Sequence, residues 1–151
     1  MNKDFLKKAV ELSKESFQQG RFPSGAVLAR NSEIIDTAIS GLYPHIHFHA
    51  ETMLIDEAMV KYNKQLEDFE LYTSMEPCIM CLGKMYWSGI NKIAYVLSRK
   101  DVDEAIAYEG KHSTKEIISK FNRPIKLVQD KTYYKEALEI YKKWESGFRV
   151  G

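Results

Sequence analysis

Apolar residues recur at every third or fourth place between Asn2 and Gln19: Phe5, Ala9, Leu12 and Phe17 form a stripe, Leu6 and Val10 lie beside it, and Gly20 follows as a stop. This spacing predicts an amphipathic helix with one side on a core. The period then shortens. Ala26-Val27-Leu28-Ala29 reads as a buried strand, Arg30-Asn31-Ser32-Glu33 as a turn and Ile34 to Ile39 as a second strand, which together predict a hairpin. Ser40 to Phe48, with Gly41 and Pro44, is a loop leading to a helix from His49 to about Tyr62 with Ala50, Met53, Leu54 and Ala58 on one stripe. A short strand at Leu71-Tyr72-Thr73 ends in the loop Ser74-Met75-Glu76, and a helix from Pro77 to about Ser88 stops at Gly89.

Further on, Lys92 to Leu97 alternates into a strand with Ile93, Tyr95 and Leu97 on one side, and helical segments follow at Val102 to Tyr108 and Thr114 to Phe121. Pro124 breaks the second of these. Ile125-Lys126-Leu127-Val128 reads as a last strand and Thr132 to Glu145 as a final helix on Tyr134, Ala137, Leu138 and Tyr141. A hairpin followed by alternating helix and strand predicts an α/β layered domain whose later strands run parallel, because helices cross between them. Ligand sites in such sheets lie beyond the carboxyl ends of the strands.

Composition changes this picture little. The 151 residues suit one domain, 1–151, with a hydrophobic fraction of 44% and a charged fraction of 28% that are ordinary for a soluble globular chain. No stretch approaches the roughly 18 apolar residues of a membrane span, so a cytoplasmic protein is expected, with no membrane partner. With 22 basic residues against 21 acidic ones, the net charge of +1 gives no overall footprint for a polyanion, and a small ligand is favoured over nucleic acid. Lys131, Lys135, Lys142, Lys143 and Arg149 cluster near the end, but Glu136, Glu139 and Glu145 are interleaved, which reads as a solvated helix face.

The chemistry is concentrated in Glu76-Pro77-Cys78-Ile79-Met80-Cys81, which holds both cysteines of the chain. Cysteines three apart share one face of a helical turn, and the dipole at a helix start favours the thiolate that a metal requires. Such a pair alone also fits a redox motif or half of a structural zinc site. A structural site wants four ligands, and no third cysteine exists. A catalytic zinc takes three protein ligands and keeps a position for water, and His49-Ala50-Glu51 offers one imidazole with a carboxylate beside it. His-x-Glu followed by Pro-Cys-x-x-Cys is the pattern of the zinc deaminases that act on nucleobases.

Phe22-Pro23-x-Gly25-Ala26-Val27, His49-Ala50-Glu51 and Thr73-x-x-Glu76-Pro77-Cys78-x-x-Cys81-x-Gly83 together resemble the cytidine deaminase superfamily. Tyr86-Trp87 and the helical C-terminal third are most similar to bacterial guanine deaminases, with tRNA adenosine deaminases close by. The resemblance implies a three-layer fold, with a mixed five-stranded sheet (opening hairpin, later strands parallel) between helices. It implies one zinc per chain on His49, Cys78 and Cys81, with Glu51 as general acid and base for hydrolytic release of ammonia from an aminated base. It also implies a homodimer, guanine as the first substrate to try, a tRNA adenosine deaminase as the alternative, and a cytosine or cytidine deaminase or a non-catalytic zinc domain after that. Expected substrate contacts are the Ala50 N–H, backbone carbonyls of Ser74 and Pro77, and stacking by Phe22, Phe48, Tyr108 or Trp87. Where the family usually has a substrate-binding asparagine stands Ser40, and the usual Asp-Pro-Thr before the ligand is His45-Ile46-His47-Phe48. His45 and His47 are expected in an exposed loop and His112 in solvent. The tail Ser146 to Gly151 is expected to reach a neighbour or to close the site.

Overall fold

The computed structural model describes residues 1–42, 44–102, 109–110 and 112–150, with the backbone alone for 148–150. Its elements run α1 (Lys3–Gln18), β1 (Gly25–Arg30), β2 (Glu33–Ile39), α2 (Ala50–Tyr62), β3 (Phe69–Met75), α3 (Ile79–Ser88) and β4 (Lys92–Leu97). A 3-10 turn (Arg99–Asp101), α4 (Thr114–Ser119), β5 (Lys126–Gln129) and α5 (Tyr134–Val150) follow. One sheet has the order β2-β1-β3-β4-β5. β1 is antiparallel to both β2 and β3, whereas β3, β4 and β5 run parallel. This is the mixed sheet expected from the chain order, and its parallel half follows from the helices that carry the chain between strands.

Helices cover both faces. Val27 and Ala29 of β1, Tyr72 of β3 and Ala94 and Val96 of β4 pack with the apolar stripes of α1 and α5. Their alternating neighbours Ala26, Leu28, Leu71 and Ile93 pack with Ala50, Leu54 and Ile55 of α2, Leu82 and Met85 of α3 and Ile117 and Ile118 of α4. A strand buried on both sides has no polar face, so β4 is buried continuously from Ile93 to Leu97. The one-sided alternation expected for it is corrected accordingly, and Leu97 at its end joins the α1 and α5 side.

Several boundaries shift. On α1 the stripe runs through Ser13 and Ser16 rather than Phe17, because their hydroxyls donate to the Val10 and Phe22 carbonyls at 2.7 and 2.6 Å and can be buried without loss. Small residues are needed there. A Cβ on Gly25 would stand 2.5 Å from the Ala9 carbonyl oxygen and from the Leu12 Cβ, so α1 crosses β1 at backbone contact. β3 continues through Ser74 and Met75, where a loop was expected, since the parallel pairing of Met75 with Leu97 holds it. On α2 the core side takes Ile55 in place of Met53.

The final helix extends to Val150, so 146–150 is helix rather than a loose tail. Its aromatic face is used within the chain: Tyr141 is buried, and Tyr134 and Trp144 pack against the same cluster. The helix expected at Val102 to Tyr108 falls mostly on 103–108, outside the described residues. No helix among the described residues is long and apolar enough to cross a membrane.

Candidate active site and metal centre

Two helices begin side by side at the edge where the parallel strands end. α2 starts after His49, whose backbone is extended (φ −74°, ψ 155°), and α3 starts after Cys78, also extended (φ −74°, ψ 174°). Both residues are therefore N-caps, and the helix expected from Pro77 begins instead at Ile79. The cause is local: the Cys78 sulfur accepts from the Cys81 backbone N–H at 3.4 Å, as a serine or aspartate cap would. An N-cap side chain points back over the helix start, which turns His49 and Cys78 toward one another.

The resulting triangle is small. His49 Nδ1 lies 3.3 Å from Cys78 Sγ and 3.5 Å from Cys81 Sγ, and the two sulfurs are 3.5 Å apart. Tetrahedral zinc, with Zn–S near 2.3 Å and Zn–N near 2.0–2.1 Å, separates sulfurs by about 3.8 Å and sulfur from nitrogen by about 3.6 Å. The triangle fits that ion after an expansion of a few tenths of an ångström, and it leaves a fourth position. Glu51, on the first turn of α2 and only 4% exposed, accepts from the Cys81 thiol at 3.0 Å.

Proton affinities in this cluster follow from the contacts. Hydrogen bonding between the two sulfurs, outweighing burial and helped by His49, brings Cys78 down to about 5. Cys81 itself is held well above the usual thiol range by Cys78, by burial and by the Glu51 charge. Hydrogen bonding to Cys78 raises His49 against the opposing effect of burial, and burial raises Glu51.

The remaining expected residues are distributed unevenly. Ala50 is the buried first residue of α2, and Pro77 and Ser74 are buried beside the cysteines. The Ser74 hydroxyl accepts from the Gly25 N–H at 3.0 Å, while Ser40 is buried with its N–H on the Ser24 carbonyl at 3.3 Å. Phe22 packs edge-to-face on Trp144, with ring centroids 4.8 Å apart, and joins the α1 and α5 cluster rather than the metal residues. Phe48 is 46% exposed and lies against the exposed rings of His45 and His47. Trp87 is 79% exposed near the far end of α3, and Tyr108 lies outside the described residues.

Two residues at the site had no sequence signal. Glu109 Oε1 accepts from the Ile79 N–H at 2.8 Å, capping α3, and also from Arg99 Nη1 at 2.9 Å. Arg21 donates from Nη1 to the Ser40 carbonyl at 2.9 Å and so fastens the end of β2. Neither belongs to a short motif, and only the fold brings them near.

Three protein ligands with a carboxylate beside them are the donor set of a catalytic zinc enzyme. The chain belongs to the family defined by the cytidine and deoxycytidylate deaminase zinc-binding region, whose model matches residues 1–97. It is a zinc-dependent hydrolytic deaminase of that superfamily. A probable cytosine deaminase of Schizosaccharomyces pombe is 27% identical over 131 residues, covering 82% of this chain and 80% of the relative. A tRNA-specific adenosine deaminase of Aquifex aeolicus is 38% identical over 94 residues, covering 60% and 62%. The guanine deaminase of Bacillus subtilis is 38% identical over 105 residues, covering 67% of each chain. In fold, the chain is similar to the guanine deaminase from Nitrosomonas europaea, with a TM-score of 0.78 at 21% identity over 94% of this chain and 83% of that one.

Proposed function

We propose that the chain releases ammonia from a free aminated heterocycle, guanine first among the candidates, with Glu51 moving the protons. The observation that carries this reading is the placement of the Glu51 carboxyl, buried and 3.0 Å from a sulfur of the donor triangle. When bound by His49, Cys78 and Cys81, zinc supplies a Lewis acid that makes a water nucleophilic at neutral pH.

Glu51 takes a proton from the attacking water and gives it to the ring nitrogen, then takes the second proton from the newly added hydroxyl and delivers it to the amine, so that the C–N bond breaks, ammonia leaves and a carbonyl remains. A carboxylate kept from bulk water suits both halves of that task, because burial narrows the gap between its proton affinity and that of a ring nitrogen. Ala50 is the first residue of α2, where a backbone N–H has no partner within the helix, and on this reading it donates to a ring carbonyl. Ser40 offers one hydroxyl where an amide would offer paired donor and acceptor groups, which favours a substrate that needs a single contact there.

Guanine is favoured by the identity with the Bacillus subtilis enzyme over 67% of this chain. The equal percentage identity with the Aquifex aeolicus enzyme supports tRNA adenosine as the second reading. Ammonia release from a panel of bases, nucleosides and anticodon stem-loops separates them. Turnover of guanine and not of stem-loops supports the first reading, turnover of stem-loops alone overturns it in favour of the second, and no turnover of any substrate by zinc-loaded protein overturns both. A homodimer forms part of the proposal, and sedimentation of the purified chain tests it.

A further inference from the structure

A cavity of about 360 Å³ opens beyond the carboxyl ends of β4 and β5. Its lining is dominated by hydrogen-bond donors: Tyr95 from β4, Gln129 from β5, Arg99 and Lys100 from the 3-10 turn, and His112 and Lys115 at the start of α4. The crevice past the ends of parallel strands is where open α/β sheets bind ligands. The catalytic reading makes no use of this cavity.

The charges in this cavity do not cancel. Among the described residues its one acidic lining residue is Glu76, which already accepts the Arg99 backbone N–H at 2.7 Å, and the Arg99 side chain is engaged by Glu109 and the Gly110 carbonyl at 2.9 Å each. Asp101 close by is occupied by Ser98 and by the Tyr134 hydroxyl. Among the described residues Lys100 and Lys115 make no ion pair, so in this part of the chain two cationic groups line one hollow. Burial, with Glu76 and Asp101 nearby, pushes Tyr95 up to about 12, which keeps its phenol a proton donor at every physiological pH. A cavity walled by donors and by two ammonium groups that are unpaired among the described residues fits an anion with several acceptor oxygens.

We propose that this cavity binds a phosphate group, held by Lys100 and Lys115 over Tyr95 and Gln129. Two residues of its wall are tied to the start of α3. Glu76 stands two residues before Cys78, and the Arg99 in its wall holds the Glu109 that caps α3. The phosphate is either part of a nucleotide whose base enters the metal site or a separate ion, and the test distinguishes the two. The site is independent of the choice of base and of the deamination reading, since binding alone reports it.

The test uses the zinc-loaded full chain, with inorganic phosphate and guanosine 5′-monophosphate as probes and chloride at matched ionic strength as control. The expected result is saturable binding of inorganic phosphate by calorimetry, with a rise in Tm of about 5 °C or more when phosphate stands near a hundred times its Kd. The double variant Lys100→Gln, Lys115→Gln should weaken this at least tenfold, and Lys100→Arg, Lys115→Arg should restore it. Tighter binding of the nucleotide than of phosphate, in competition with free base, makes the cavity an extension of the substrate site. Phosphate binding without such competition makes it a separate anion site. Absence of saturable binding, or binding unchanged in the glutamine double variant when its Tm in chloride matches wild type, overturns the proposal. A double variant that melts early is replaced by the single variants, read the same way.

Discussion

The starts of α2 and α3 lie side by side and are built in opposite ways. At α3 the amides are claimed by the protein: the Cys78 sulfur takes the Cys81 N–H, and Glu109 takes that of Ile79. Behind them runs a chain of supports, with Glu109 held by Arg99, Arg99 carried in a turn capped by Asp101, and Asp101 tied to Tyr134 on α5. At α2 no side chain caps the helix, and the first turn presents Ala50 and Glu51 instead. The α3 start carries two of the three candidate zinc ligands in a braced frame. The α2 start carries the third, His49, with no side-chain cap, and on the proposed reading its first turn serves the substrate.

The largest effect tests the braced side. Cys81→Ser should remove bound zinc, abolish turnover and lower Tm, because a hydroxyl is a poor zinc ligand beside one remaining thiolate; full zinc occupancy by metal analysis of that variant would break the comparison. Next, Glu51→Gln should keep zinc at one per chain while lowering kcat by roughly 10³-fold or more, as expected for loss of a general acid and base. If zinc is lost instead, Glu51 belongs with the holding groups.

Smaller effects sharpen the contrast. Gly25→Ala should cost about 1–3 kcal/mol by pushing α1 off β1, read by urea denaturation, with zinc content unchanged. Glu109→Gln removes a charged cap from α3 and should cost on the order of 1 kcal/mol. Removing an equivalent side chain from the start of α2 has no counterpart, since none caps it. Asp101 gives the finest test. Burial opposes its ionised form, but the Tyr134 and Ser98 donors outweigh burial and hold it below the usual carboxylate range. A depressed folded pKa means that its contribution is fully present above the unfolded value and is lost as pH falls through the folded one. Asp101→Asn should therefore lower Tm at pH 6, with the difference shrinking as the pH falls below the usual carboxylate range. A constant difference across that range would remove Asp101 from the chain of supports.

Much of the fold was legible in the residues. The three-to-four spacing of α1, the hairpin and the helix and strand alternation that follows all reflect local periodicity, and local periodicity survives in a sequence read alone. The same holds for His49, Glu51, Cys78 and Cys81, because two short motifs contain them. Boundaries failed where a distant partner decided them. β3 reaches Met75 because Leu97 pairs with it, and Ser13 and Ser16 lie inward because their hydroxyls find carbonyls. Phe22, expected as a ring for stacking, is half-buried and packs against Trp144, 122 positions along the chain by their numbering.

The sequence by itself determined which residues can bind a zinc ion and move a proton, since donor chemistry belongs to side-chain type and two motifs supply the set. Tertiary structure alone decided that His49 and Cys78 are caps facing each other within 3.3 Å, that α3 is braced by Glu109 and Arg99, and that Lys100 and Lys115 share a cavity. The reason is range: motif and period are written in neighbouring residues, whereas the meeting of two helix starts depends on strand pairings between segments far apart in the chain.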